Sequence, residues 1–260
     1  MPNGIFQCKF EGDSLGSQYL IKICGLQDPS VVDGLPPLDF LGYVVGSPKS
    51  KRNLNLGDVL SNENIIEDRR SVLVTVDSIV WKQLNAKGYS LNFQLHGSAR
   101  DQFIKETLDG IQIEDCNHPL FHRCNCLEDS EVVDRIEAKF LKHLALGISY
   151  NELEMTNNSL LKQFLKPILW NEKFQLLYLT VDAVNKEGYG GTGKRWKWKE
   201  IPNVKQKVLV AGGINPTNAM EALRVTRADG IDVSSGVETS RGKDRNLILQ
   251  LVQNISKTRN

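Results

Sequence analysis

With 260 residues, 40% hydrophobic and 24% charged, and a formal net charge of +1, the chain has the make-up of one folded domain with a sizeable core. That balance excludes an intrinsically disordered chain and a strong polyanion binder, and no basic block with interleaved aromatics points to nucleic acid. No apolar run reaches membrane-span length, the first residues lack a signal-peptide core, and five cysteines in a chain of this size suit a reducing compartment, so a cytoplasmic protein without membrane partners is expected.

In chain order, residues 1–18 read as an N-terminal extension, followed by strand-like runs at 19–24 and 38–45. Gly34, Pro36 and Pro37 leave only 28–33 for a helix between them, so that helix is expected to be poor. Next come strands at 71–76 and 91–96, each followed by a helical pattern, at 78–87 and 98–109. The stretch 110–140 is longer than a helix-to-strand connection needs and reads as an insertion. Strands at 143–148, 176–182, 206–211 and 229–234 complete the set, with helices expected at 157–170, 216–227 and 243–257. Eight alternating strand–helix units predict an α/β fold, a single-domain (β/α)8 TIM barrel over 19–260, with the insertion between helix 4 and strand 5.

Three glycine-bearing segments stand late in the chain: GYGGTG at 188–193, AGGINP at 211–216 and DVSSG at 232–236. Glycines at a strand's end let the backbone approach a ligand closely, and a helix N-terminus offers N–H groups to an anion. Asn215 and Pro216 fit the N-cap and N1 positions of such a helix. Gly212, Gly213, Ser234, Ser235 and Gly236 are therefore the expected phosphate grip, with Gly191 in a loop that closes beside Asp182. Residues two apart on a strand share a face, so Lys22 with Cys24, Gln94 with His96, Thr180 with Asp182, and Asp232 with Ser234 each project together. In a barrel these pairs meet at the C-terminal mouth, where barrel active sites lie.

With KICG (22–25), SPKSKR (47–52), QLHG (94–97), VDA (181–183), GGTG, AGGINP and DVSSGVE in this order, the chain resembles the phosphoribosylanthranilate isomerase family over nearly its whole length. The resemblance implies an Amadori rearrangement of an aldosylamine, N-(5′-phosphoribosyl)anthranilate, to the ketosylamine, in tryptophan biosynthesis. By the same resemblance Cys24 is the general base, Asp182 the general acid, and Arg52 the residue that holds the anthranilate carboxylate. No cofactor is needed, because there is no redox step. The expected partner is a small phosphorylated substrate, bound by a monomer or homodimer. His96 stands among the substrate-facing residues, or as a structural histidine bonded to the barrel wall. Two other readings stay open: a non-catalytic barrel that binds a sugar phosphate, and an isomerase of another phosphorylated aldosylamine. A binding module would need neither Cys24 nor Asp182.

Within the insertion, Cys116, His118, His122, Cys124 and Cys126 form a dense Cys/His cluster. Its spacings match no standard finger and Cys-x-Cys is tight for two ligands on one ion, so no metal is assigned, with a structural zinc as the alternative. Asp77 stands at the end of the third strand, where the family usually has an asparagine.

Overall fold

Eight parallel strands close on themselves in a computed structural model that describes residues 19–86, 91–108, 143–150, 152, 176–182, 198–202 and 204–256. The strands are β1 (Leu20–Cys24), β2 (Phe40–Val45), β3 (Ser71–Thr75), β4 (Asn92–Leu95), β5 (Leu144–Ser149), β6 (Tyr178–Asp182), β7 (Val208–Ala211) and β8 (Gly230–Val233). Each pairs in parallel with its sequence neighbours, and β8 returns to β1, so the sheet has no free edge between them. All eight runs lie within a residue or two of the expected positions.

Near-continuous apolar runs such as VLVA at 208–211 suit a parallel strand covered on both faces. Alternation divides their side chains into two cores. One face, with Ile21, Ile23, Leu41, Tyr43, Leu73, Leu95, Leu179, Val210 and Ile231, packs against the helices. The other gives a smaller cluster of Phe40, Val72, Val74, Ala145, Tyr178 and Leu209, which fills the barrel's interior. Phe40 and Tyr178 meet across it with ring centroids 4.6 Å apart.

The helices among the described residues are α1 (Leu56–Leu60), α2 (Glu63–Ile66), α3 (Ser78–Ala86), α4 (Gly97–Leu108), α5 (Ala219–Thr226) and α6 (Arg245–Ser256). α6 buries Ile248, Leu251, Val252 and Ile255, a helical i, i+3, i+4, i+7 stripe contributing roughly 6–12 kcal/mol of gross hydrophobic burial. The proline-broken segment after β1 forms only a 3₁₀ turn, Pro29–Val32, capped by Asp28. The sequence reading missed α1, α2 and the short strand Asn53–Leu54 on β2, because polar Asn caps separate pieces too short to show a period. The expected extension at 1–18, insertion at 110–140 and helix at 157–170 lie outside the described residues. No helix among the described residues is long and apolar enough to cross a membrane.

Candidate active site

The interior face of β1 carries Lys22 and then, at the strand's last position, Cys24. Lys22 is fully buried and sits in register with Asp232 of β8. Its ammonium donates to Asp232 Oδ2 at 2.6 Å and to Gln94 Oε1 of β4 at 2.5 Å, and lies 5.7 Å from the ring centroid of Tyr178. Tyr178 OH donates to the same Gln94 oxygen at 2.9 Å. Two donors on Oε1 fix the orientation of the Gln94 amide, so its Nε2 must be the donor in the 2.5 Å contact with His96 Nε2. His96 is therefore the tautomer with its proton on Nδ1. Burial, helped by the Lys22 and Arg100 charges, pulls its pKa down to about 3, so the ring stays neutral.

Glycines make space for these groups. A Cβ on Gly42 would press on Cys24 Sγ and Lys22 Cε, and one on Gly147 would overlap the His96 ring. Arg100, 2% exposed, bridges from α4 to the Gly147 carbonyl at 2.8 Å and to both oxygens of Glu152. Glu152 in turn accepts from Ser149 N at 2.7 Å, which pins the exit of β5. Ser149 is in register with Asp182, the last residue of β6. Tyr178 faces inward, so alternation turns Thr180 and Asp182 inward with it. Cys24 and Asp182 thus end two strands of the same rim and point to the same interior.

A second charged cluster lies above the first. Arg52, in the loop after β2, grips Glu238 with two bonds, Nε to Oε1 at 2.5 Å and Nη2 to Oε2 at 2.8 Å. Lys243 Nζ joins Oε1 at 2.6 Å, and Lys51 approaches Oε2 at 3.1 Å. Three cations share one carboxylate. Arg52 and Lys243 hold Glu238 well below the usual carboxylate range, at about 2, against a desolvation that pushes the other way. Glu238 and Lys243 face each other across a two-strand hairpin, Glu238–Thr239 with Gly242–Lys243. Gly25, at φ +78°, leaves room for the Arg52 side chain to cross the end of β1.

The two clusters meet at Cys24, which is partly exposed. Burial pushes its thiol up, opposed by the charges of Lys22, Lys243 and Arg52, while Asp232 adds to the rise. The net direction is upward, so the thiol dominates at neutral pH.

Two of the three glycine segments lie side by side. Gly212 and Gly213, at φ +93° and +65°, adopt a backbone that side-chain-bearing residues avoid. Regular helix begins only at Ala219, three residues beyond the expected N1 at Pro216, and the capping bonds lie in the turn before it. Asn215 Oδ1 accepts from Thr217 N at 2.9 Å, and Asn218 Oδ1 accepts from Asn215 N at 2.8 Å, a reciprocal capping box with Asn218 at its N3 position. Asn218 Nδ2 also donates to the Gly213 carbonyl, which ties the glycine loop to the helix. Gly236 docks against the Ile214 carbonyl so closely that a Cβ would overlap it. Ser234 Oγ donates to the Cys24 carbonyl at 2.9 Å, and Ser235 and Gly236 follow in a 3₁₀ turn. Gly191 and the cluster Cys116, His118, His122, Cys124 and Cys126 lie outside the described residues.

Sequence reasoning missed Glu238 and Lys243. Glu238 closed the DVSSGVE motif without a role, and Lys243 carried no signal, because only the hairpin brings it back to the rim. Asp77 takes an ordinary part, accepting from Ile79 N at 2.8 Å at the start of α3.

Residues 151–254 match the family model for N-(5′phosphoribosyl)anthranilate (PRA) isomerase. A Bacillus cereus (strain AH187) N-(5′-phosphoribosyl)anthranilate isomerase is 30% identical over 155 residues, 58% of this chain and 68% of the relative. A Leptospira interrogans enzyme of the same name is 40% identical over 82 residues, 31% of this chain and 38% of its own length. The chain thus spans about two fifths of that relative. Among solved structures, the phosphoribosyl anthranilate isomerase of Thermotoga maritima superposes with a TM-score of 0.56 at 24% identity, covering 92% of this chain and 99% of that one. The enzyme from Pyrococcus furiosus gives 0.54 at 20% identity, over 92% and 99%. At these identities the superpositions establish the barrel fold.

Proposed function

The chain belongs to the phosphoribosylanthranilate isomerase family, and from that premise we propose that it catalyses the Amadori rearrangement of N-(5′-phosphoribosyl)anthranilate. The observation that carries the reading is the pair of inward-facing strand ends, Cys24 on β1 and Asp182 on β6, on a rim with an excess of cations. Asp182, as acid, gives a proton to the furanose ring oxygen. The bond from that oxygen to the first sugar carbon breaks, leaving a protonated imine. The Cys24 thiolate then takes the proton from the second carbon, and the electron pair of that C–H bond forms the enamine, whose enol tautomerises to the ketone. Every proton and electron stays within substrate, Cys24, Asp182 and water, so the step needs no redox partner.

Arg52 is the group for the anthranilate carboxylate, since its planar fork suits a carboxylate better than a lysine does. Nε and Nη2 already face Glu238, so a substrate carboxylate approaches at Nη1. The docked loops at Gly212–Gly213 and Ser234–Gly236 are the phosphate grip, with a capped helix start behind the first.

The test is a direct assay. Purified protein should consume phosphoribosylanthranilate without added cofactor, followed by loss of anthranilate-type fluorescence. Cys24→Ala and Asp182→Ala should each lower kcat by at least about a thousandfold while melting like the wild type. Full turnover by either variant would sink the assigned roles.

A further inference from the structure

Among the described residues, Lys22, Arg52 and Lys243 act on Cys24, but they are not equally neutralised. Lys22 is matched, ion to ion, by Asp232, which itself faces Cys24 and opposes it. Arg52 is matched by a bidentate grip on Glu238. Lys51, also on Glu238, is 72% exposed and answered by water. Lys243 is only 4% exposed and must share Glu238 Oε1 with Arg52. Its other acceptors are neutral: the Ser234 carbonyl at 3.0 Å and Ser234 Oγ at 3.3 Å. Ser234 Oγ is the hydroxyl that donates to the Cys24 carbonyl. A buried ammonium with half a carboxylate is costly to keep, and here it bonds the very serine that anchors the Cys24 backbone.

We propose that Lys243 is a positioning residue for the reaction, its ammonium clamped by Glu238 and Ser234 against the end of β1 so as to favour the thiolate of Cys24. The inference rests on the isomerase reading for its purpose, but the clamp itself is independent of it. Among the described residues, the charged and titratable groups that face Cys24 are Lys22 on its own strand, Asp232 on β8, Tyr178 on β6, Arg52 after β2 and Lys243 on the hairpin. Those around Lys243 are Glu238, Arg52 and Cys24. Burial pulls the Lys243 ammonium down and Glu238 pushes back, which is the behaviour of a cation confined rather than solvated.

The experiment measures the Cys24 thiol directly, by the pH dependence of its alkylation with iodoacetamide, read by peptide mapping, in wild type, Lys243→Met and Lys243→Arg. Loss of the charge should move the Cys24 titration to higher pH by roughly one unit, and the arginine variant should restore most of it. In turnover, the rising limb of kcat against pH should move by the same amount in Lys243→Met, with KM changed less than about threefold. An unmoved thiol titration overturns the proposal, whether the variant melts lower or not. A raised KM with an unmoved limb also overturns it, and makes Lys243 a substrate-binding group. If wild-type protein gives no turnover yet the thiol titration still moves, the isomerase reading fails and the clamp stands.

Discussion

Two clusters of charge border the same cysteine, and they are built on opposite rules. Beneath Cys24, Lys22, Asp232, Gln94, Tyr178 and His96 form a sealed network in which one cation meets one anion and the rest is neutral. Above it, Arg52, Lys51 and Lys243 crowd the one carboxylate of Glu238, three positive charges on one negative. Inside a low-dielectric barrel an unmatched charge costs several kcal/mol, so the deep cluster has to balance. At the mouth water and an arriving anion can complete the count, so the rim can be kept short of negative charge. The deep cluster is neutralised within the fold; the rim cluster is not.

The sharpest way to break this contrast is to unbalance the deep pair. Lys22→Met leaves Asp232 as a buried, uncompensated carboxylate and should cost about 3–5 kcal/mol, seen as a fall in Tm of roughly 10 °C. The double variant Lys22→Met with Asp232→Asn should recover much of it. A loss below about 1 kcal/mol in the single variant would mean that the pair is not a closed unit.

Acid probes the rim next. Glu238 has its folded-state pKa depressed to about 2 from 4.5, so it stabilises the fold above pH 4.5 and loses that contribution as pH falls toward 2. Urea unfolding of wild type and Glu238→Gln should differ by on the order of 2–3 kcal/mol at pH 7, and the gap should close between about pH 4.5 and 2.5. His96, neutral in the fold down to about pH 3, destabilises both proteins equally below pH 6.5, so the difference isolates Glu238. A gap that stays constant with pH would show that the cations do not hold the carboxylate. The smallest effect is expected at Lys51, exposed on the same oxygen pair as Arg52: Lys51→Ala should lower stability by less than about 1 kcal/mol, and less still in 0.5 M salt by roughly the screening expected there.

Most of the barrel was legible because its signals are local. Each apolar run and each helical stripe announces itself within ten residues, and Gly212, Gly213 and Asn215 mark their turn by their own conformational needs. The face shared by Lys22 and Cys24 followed from strand alternation alone, and so did Asp182 beside Thr180. What stayed hidden depends on closure. Glu238 and Arg52 lie 186 residues apart, and their bond appears only when β8 comes back beside β1. Likewise nothing in QLHG says that Gln94 has its amide oriented by Tyr178, or that Gly147 is bare so that an imidazole can lie over it. Lys22 was readable as a positive charge near the thiol, but the carboxylate that cancels it was not.

The seam between β1 and β8 also sets a timetable. Lys22 and Cys24 leave the ribosome early, while Asp232, Ser234, Glu238 and Lys243 arrive some 210 residues later, roughly 10 to 40 s at ordinary elongation rates. Throughout that interval the first strand lacks both its last neighbour and the carboxylate that makes its lysine tolerable in an apolar interior. No truncated nascent chain can assemble the thiol's surroundings, and an unfinished barrel offers the open edge of β1 to any extended segment nearby. A chaperone that covers β1 during synthesis would therefore guard an edge that stays unpaired until the final strand is made.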